Sequence, residues 1–269
     1  MTQKLQKNSY LVADVRPYIN WVYFLHAWGM TGKPANAQER LLSEAEQMLD
    51  DMESRHYNTH SLFRLCRANS DGDDLLLDDV RMPLLRQQVP DQNGNCLCLT
   101  DFVRPVGKGD DRVGVFATTV DHAMETDFVV DPYLKMMAQT IADRLAEATA
   151  ELLHLEVRRC LWGYAPDENL SVSELHKEHF QGIRPAVGYP SIPDTSVNFI
   201  LDRLLNMRNT GIWLTENGAM RPHASVSGLM ISHPSACYFS LGVIGDDQLR
   251  DYAQRRGLPL VMVKRFLGQ

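Results

Sequence analysis

VGVFATTV (113–120) and DPYLKMMAQTIADRLAEATAELLHLEVRRCL (131–161) are separated only by residues 121–130, and their hydrophobic periods differ. The first is a short apolar run rich in β-branched residues and reads as a strand. In the second, Leu134, Met137, Ile141, Leu145, Ala148, Leu152 and Leu155 recur at three- and four-residue steps. That spacing places them on one face of a helix. Asp131 can cap this helix and Pro132 suits its first turn, since a proline there lacks only an amide the helix would leave unpaired. The helix is expected to end before Trp162-Gly163.

Working outward, Leu75–Leu77 and Cys96–Leu99 are short apolar runs between Asp-, Gly- and Pro-rich turns and read as strands. Ser225–Ser232 and Cys237–Ile244, joined by a proline-containing turn, read as a hairpin. Residues 1–15 form a polar, loose N-terminal segment in this reading. From Arg16, the residues Ile19, Trp21, Phe24, Leu25 and Trp28 suit a helix entered through Pro17. Asn36 and Glu39 suit a capping box for a second helix, whose stripe is Leu41, Leu42, Ala45, Met48, Leu49 and Met52. Ser171 with Glu174 caps a helix running to about Phe180 and stopped by Gly182. Three prolines make 183–193 an extended loop. Further helices begin near Asp194 or Ser196, at Asp247 (ending at Gly257), and near Phe266. With no repeat and no linker-like stretch, residues 16–269 read as one α+β domain whose strands, coming in adjacent runs, are mainly antiparallel.

Composition removes several function classes. The net charge of -7, from 27 basic against 34 acidic residues, disfavours a nucleic-acid partner, because neutralising phosphates needs a basic surface. No stretch approaches the ~20 consecutive apolar residues of a membrane span. Five cysteines, an odd number without framework spacing, and the lack of a signal-like N-terminus suggest a reducing, cytoplasmic setting. Glycine-rich phosphate loops, H-E-x-x-H and G-x-S-x-G are all absent, so neither nucleotide binding nor hydrolysis has its usual parts. His176 and His179 read as surface histidines, Cys96 and Cys98 as buried thiols, and Asp71, Asp73 and Asp74 as an acidic turn.

The remaining chemistry lies in WGYAPDENL (162–170) and QGIRPAVGYP (181–190). Arg184 offers a planar fork of donors suited to a carboxylate. Pro185 and Pro190 hold the backbone extended, leaving its polar groups for a ligand, and Gly188 permits close approach. Tyr189 offers a ring face to a purine or a sulfonium. The same residues also describe a rigid surface loop whose arginine binds a nearby helix end, and the residues alone leave both readings open.

The sequence resembles the activation domain of cobalamin-dependent methionine synthase over nearly its whole length. The matching stretches are YINW (18–21), TDFV (100–103), IADRLAE (141–147), WGYAPDENLS (162–171), QGIRPAVGYP (181–190), LTENGAMRPHASVSG (214–228) and the SHP turn at 232–234. The resemblance implies a single C-shaped domain around a twisted antiparallel sheet with flanking helices. It also implies a role in reductive methylation, which returns oxidised cobalamin to use with a methyl group from S-adenosylmethionine. The domain is then one part of a methyltransferase system in methionine biosynthesis. By the same resemblance Arg184, Ala186, Gly188, Tyr189 and Tyr238 contact S-adenosylmethionine, while Glu147 and Glu178 lie near it.

Two positions depart from the family pattern. Asn20 stands where the family has a ligand-contacting aspartate, and Phe239 where it tends to have a second tyrosine; both departures imply weaker binding. No D-x-H-x-x-G motif is present, so cobalamin is expected from a cobalamin-binding methionine synthase module, and the electron from a flavodoxin-like reductase. Arg250, Arg255, Arg256, Lys264 and Arg265 offer that reductase a basic face, or else a solvated helix face. The alternative function is a docking module that tunes a corrinoid protein without donating methyl.

Overall fold

The computed structural model describes residues 4–90 and 94–268. The chain opens with β1 (Gln6–Leu11) and α1 (Val12–Val15), followed by α2 (Trp21–Ala27) and α3 (Ala35–Ser54). Next come β2 (Asn58–Asp71), β3 (Asp74–Leu77), β4 (Val80–Pro83), β5 (Asp111–Val120) and α4 (Ala123–Thr126). The long helix α5 (Pro132–Glu156) runs into a π turn at Val157–Leu161. After it lie α6 (Val172–Leu175), α7 (Val197–Leu205), β6 (Trp213–Leu214), β7 (Met220–Arg221), β8 (Ser225–Met230), α8 (Asp246–Arg256) and α9 (Leu260–Phe266).

The main sheet has the order β4-β3-β2-β5-β8, with β1 also on β2, and every pairing is antiparallel. One edge of β2 is shared: Asn58–Phe63 pair with β1 and Ala68–Asp71 with β3. Both faces of β5 are buried. Phe116 and Val120 join the core under α3 and α5, whereas Val113, Val115 and Ala117 join the core on the α7 side. Because successive side chains of a strand alternate between faces, burial on both explains why 113–120 reads as a nearly unbroken apolar run. Asp131 caps α5 by accepting from the amides of Tyr133 and Leu134, as expected. Of the expected stripe, Met137, Ile141, Leu145 and Ala148 are buried, Leu152 and Leu155 are half-buried and Leu134 is exposed; Ala138, Ala142, Ala146 and Ala150 are also buried. Their small side chains let the helix lie close on the sheet, and Thr118 Oγ1 donates to the Ala146 carbonyl at 3.0 Å.

Several expectations are corrected. Residues 6–11 are not loose: they form β1 on the edge of β2, and residues 1–3 lie outside the described residues. The helix expected from Arg16 is split into a 3-10 turn at Arg16–Tyr18 and α2, with Asn20 capping the latter. Pro34, not Asn36, precedes the first residue of α3, and α6 is a single turn ending at Leu175 rather than near Phe180. Cys96–Leu99 is not a strand. The Asp101 carboxylate accepts from the Cys98 amide and draws the chain into a 3-10 turn at Leu99–Phe102.

Nor does Cys237–Ile244 form the second half of a hairpin, because both edges of β8 are already taken. One edge pairs with β5. The other holds the proline-rich loop: Ile183 and Ile231 exchange amide–carbonyl bonds at 2.9 and 3.0 Å, Leu229 donates to the Pro185 carbonyl at 3.0 Å, and Val187 donates to the Ser227 carbonyl at 2.9 Å. Pro185 takes part in this pairing through its carbonyl alone, having no amide to donate. Residues 237–244 instead cross over the loop, with the Leu241 amide donating to the Pro190 carbonyl. The third cluster of buried residues joins Leu241 and Ile244 to α8 and α9.

Candidate functional site

A cleft of about 500 Å³ opens between α5, the start of α2, residues 175–191 and residues 238–240. This size suits a small organic ligand. The α5 wall is one stripe: Arg144, Glu147, Ala148 and Glu151, spaced three and four residues apart, all line it. The opposite wall is the edge strand just described. Gly228 is required there, because a Cβ at this position would lie 2.2 Å from the Pro185 carbonyl oxygen. Gly182 is required at the loop's entry, where φ is +85° and a Cβ would lie 2.4 Å from the Ile231 carbonyl oxygen.

Pairing with β8 corrects one expectation. The backbone at Ile183, Pro185 and Val187 is occupied by the sheet and is not left open for a ligand. In an edge strand, alternate residues face opposite ways, and at Arg184 the outward amide donates to the Tyr238 hydroxyl at 2.9 Å.

The electrostatics are those of an incompletely paired site. Arg184 Nη2 donates to Glu151 Oε2 at 3.0 Å, with both side chains 12% exposed. Burial is the largest single influence and works against the Arg184 charge, but Glu151, Tyr238, Glu147 and Tyr189 together outweigh it and raise its pKa. Arg184 Nε, Glu151 Oε1 and Arg144 Nε are nevertheless buried without a hydrogen-bond partner among the described residues. Unpaired buried donors and acceptors are costly, and several on one cleft mark a place where a ligand completes the bonding. Tyr189 donates its hydroxyl to Glu147 Oε1 at 2.6 Å, and burial followed by the Glu147 charge pushes its pKa up. At the cleft lip, partial shielding from water raises the Glu178 carboxyl pKa, while nearby Arg184 opposes the shift.

Arg184, Ala186, Tyr189, Tyr238, Asn20, Glu147, Glu178 and Phe239 all line this cleft. Gly188 does not: its φ of +90° shapes the turn in which its amide donates to the Ile192 carbonyl. The Asn20 Oδ1 accepts from the Val22 amide at 3.2 Å as the N-cap of α2. Sequence reasoning missed Arg144, Glu151, Tyr18, Tyr23, His176 and Phe180, which also line the cleft. Glu151 was within reach, since it lies one helical turn beyond Glu147 on a helix already identified.

Of the C-terminal basic residues, Arg250 and Arg265 are exposed, but Arg255 and Arg256 are placed differently from expectation. Arg255 pairs with Asp74 and Asp251, and Arg256, 6% exposed, pairs with Asp194. Neither presents a free basic face.

The family described as "Vitamin B12 dependent methionine synthase, activation domain" matches residues 11–257 of this chain. Among solved structures, the chain is similar to the reactivation domain of MetH bound to AdoHcy. The two share 38% sequence identity with a TM-score of 0.91, over 98% of this chain and 89% of the other.

Proposed function

We propose, from the premise that this chain belongs to the family of activation domains of vitamin B12-dependent methionine synthase, that its cleft binds S-adenosylmethionine for the reductive methylation of cobalamin. The observation that carries this reading is the set of buried, unpartnered polar atoms on one cleft: Arg184 Nε, Arg144 Nε and Glu151 Oε1. A neighbour with the same fold is bound to AdoHcy, the demethylated form of that ligand.

The fit is chemical as well as spatial. S-adenosylmethionine carries a carboxylate, an ammonium and a sulfonium, and supplies a methyl group when bound. Arg184, with a free Nε–H, is suited to its carboxylate by a charge-assisted bond. Glu147, Glu151 and Glu178 set three carboxylates against the two guanidiniums of Arg144 and Arg184, a balance that favours a ligand with net positive charge. Tyr189, tied to Glu147, and Tyr238, tied to the Arg184 amide, provide aromatic faces held in place by hydrogen bonds. Ala186 keeps the wall between them low. Gly188 acts through the turn rather than by contact.

As a domain of methionine synthase the chain works with a cobalamin-binding module. We assign the electron donor to a flavodoxin-like reductase in the cytoplasm on the family reading alone, because Arg255 and Arg256 are consumed by internal ion pairs. The docking-only alternative is disfavoured by the cleft, which a pure docking surface has no need to build. Calorimetric titration of S-adenosylmethionine tests the assignment. The protein is expected to bind, and Arg184→Ala is expected to lose ~100-fold in affinity, as for a charged hydrogen bond worth ~2–3 kcal/mol. Heatless titrations of the unaltered protein, or equal affinity in the variant, would refute it.

A further inference from the structure

WGYAPDENL (162–170) is one of the stretches that carry the resemblance to the family, yet none of its residues lines the cleft. Its contacts lead behind the cleft wall. Arg158, in the π turn that follows α5, is fully buried. Glu168 holds it with both carboxylate oxygens: Nε donates to Oε1 and Oε2 at 3.0 and 2.9 Å, and Nη2 to Oε1 at 2.8 Å. The guanidinium carbon lies 4.2 Å from the centroid of the Phe180 ring. His154, also fully buried, meets the same ring edge-on at 4.9 Å and 82°. Its Nε2 lies 3.3 Å from the Tyr164 hydroxyl. That hydroxyl in turn is 3.2 Å from the point a Cβ on Gly182 would occupy.

Phe180 lines the same cleft as Arg184. Arg144, Glu147, Glu151, His154 and Arg158 continue one another along α5 and into the π turn after it at three- and four-residue steps. The first three face the cleft, and the last two support Phe180 from behind. A planar cation stacked on an aromatic face fixes the ring's orientation as well as its depth. The bidentate carboxylate fixes the cation in turn.

We propose that Arg158 is a positioning residue for the ligand: clamped by Glu168 and stacked on Phe180, it sets one wall of the cleft that holds Arg184 and thereby the affinity of the site. The proposal rests on the reading of the cleft as the S-adenosylmethionine site. It gives the 162–170 stretch a role that its place outside the cleft lining would not suggest.

The test is a double-mutant cycle on ligand affinity, with Arg158→Lys, Phe180→Leu and the double variant titrated with S-adenosylmethionine by calorimetry and their melting points recorded without ligand. Each single change is expected to weaken binding ~10-fold, ~1.4 kcal/mol. The double variant should lose little more than the worse single, since both break one stack. Phe180→Tyr, which keeps the ring, should lose less affinity than Phe180→Leu. Folded variants that bind normally, or a double loss equal to the product of the singles, would overturn the proposal. If Arg158→Lys does not fold, Glu168→Gln takes its place in the cycle, because it loosens the clamp without touching the cleft. Failure of the unaltered protein to bind sinks the reading of the cleft, and the proposal with it. Normal binding with unaffected variants sinks only the role of Arg158.

Discussion

Arg184 and Arg256 are both arginines shielded from water, and the chain surrounds them in opposite ways. Arg256, near the end of α8, donates from Nη1 to Asp194 Oδ2 and the Tyr252 hydroxyl, and from Nη2 to the Ser196 hydroxyl and carbonyl. The Tyr252 hydroxyl also donates to Asp194 Oδ2 at 2.7 Å, and burial holds its pKa well above the usual phenol range. Arg184 has one carboxylate partner and a buried Nε with none. The first is a closed network that ties α8 to the segment leading into α7. The second is an open one, facing a cleft. A buried charge satisfied by its own chain serves the fold, whereas one left short of partners on an open cleft is poised for something that arrives later.

The contrast can be broken by exchanging the expected phenotypes. Arg256→Met leaves Asp194 buried without its cation and should cost ~3–5 kcal/mol of stability, seen as a lower midpoint in chemical denaturation. The folded fraction should still bind S-adenosylmethionine with unchanged affinity. Arg184→Ala should do the reverse: water entering the cleft can solvate Glu151, so stability falls by only ~1 kcal/mol while binding collapses. If Arg256→Met weakened the ligand, or Arg184→Ala unfolded the protein, the division between the two networks would be wrong.

The same contrast locates the pH dependence. The network of Asp194, Ser196, Tyr252 and Arg256 contains no histidine, but His154 lies behind the cleft. Burial, then the charges of Arg158 and Arg184, hold its pKa well below the ordinary 6.5. The unfolded chain therefore takes up a proton as pH falls below about 6.5 while the folded one refuses it. Stability is lost in that direction, by at most ~1.4 kcal/mol per pH unit for one proton. Above pH 6.5 both states are neutral here and the slope from this group vanishes. Glu178, Glu156 and Asp143, whose carboxyl pKa values are raised chiefly by burial, act with the opposite sign at lower pH. Comparing denaturation of the protein and His154→Gln between pH 7 and 5 isolates the histidine. The variant should show a flatter slope by up to one proton, and parallel curves would mean that His154 accepts its proton in the fold.

How much of this was legible beforehand depended on how each segment meets its surroundings. Helix α5 could be read because its cap, its proline and its period agree. Strand β5 could be read because both of its faces are dry. Strand β2, the longest in the sheet, was missed. Its buried set includes Thr59, Ser61 and Ser70, and Arg64 and Arg67 interrupt the apolar run. Its polar side chains find partners only in the folded sheet, as Arg64 does in Asp78. The site residues on the loop were found through their resemblance to a family, since Arg184 and its prolines could equally have been a stiff surface turn. Arg158 could not be found that way. In Glu156-Val157-Arg158-Arg159-Cys160 it reads as the charged tail of a helix, whereas in the π turn Arg158 is fully buried and Arg159 exposed. Phe239 was tied to a hairpin that does not form, yet the segment crossing the loop still brings it to the cleft.

The finest test of the open network is Asn20. Its side chain caps α2 through Oδ1, and aspartate caps a helix about as well, so Asn20→Asp should leave α2 intact. What changes is charge. A fourth carboxylate would face a ligand with two cationic groups, and a charge-assisted bond exceeds a neutral one by ~1 kcal/mol. Against this gain stands repulsion from Glu147, Glu151 and Glu178 in the same cleft, which must be borne even without ligand. Asn20 is only partly buried, so solvent weakens both contributions. The expected net result is a tightening of ~3-fold for S-adenosylmethionine, ~0.6 kcal/mol, with a slightly lower melting point for the free protein. Both shifts should shrink as salt is raised. Equal affinities at low salt would mean that the cleft does not use this position to sense charge, and that the asparagine is there for the helix alone.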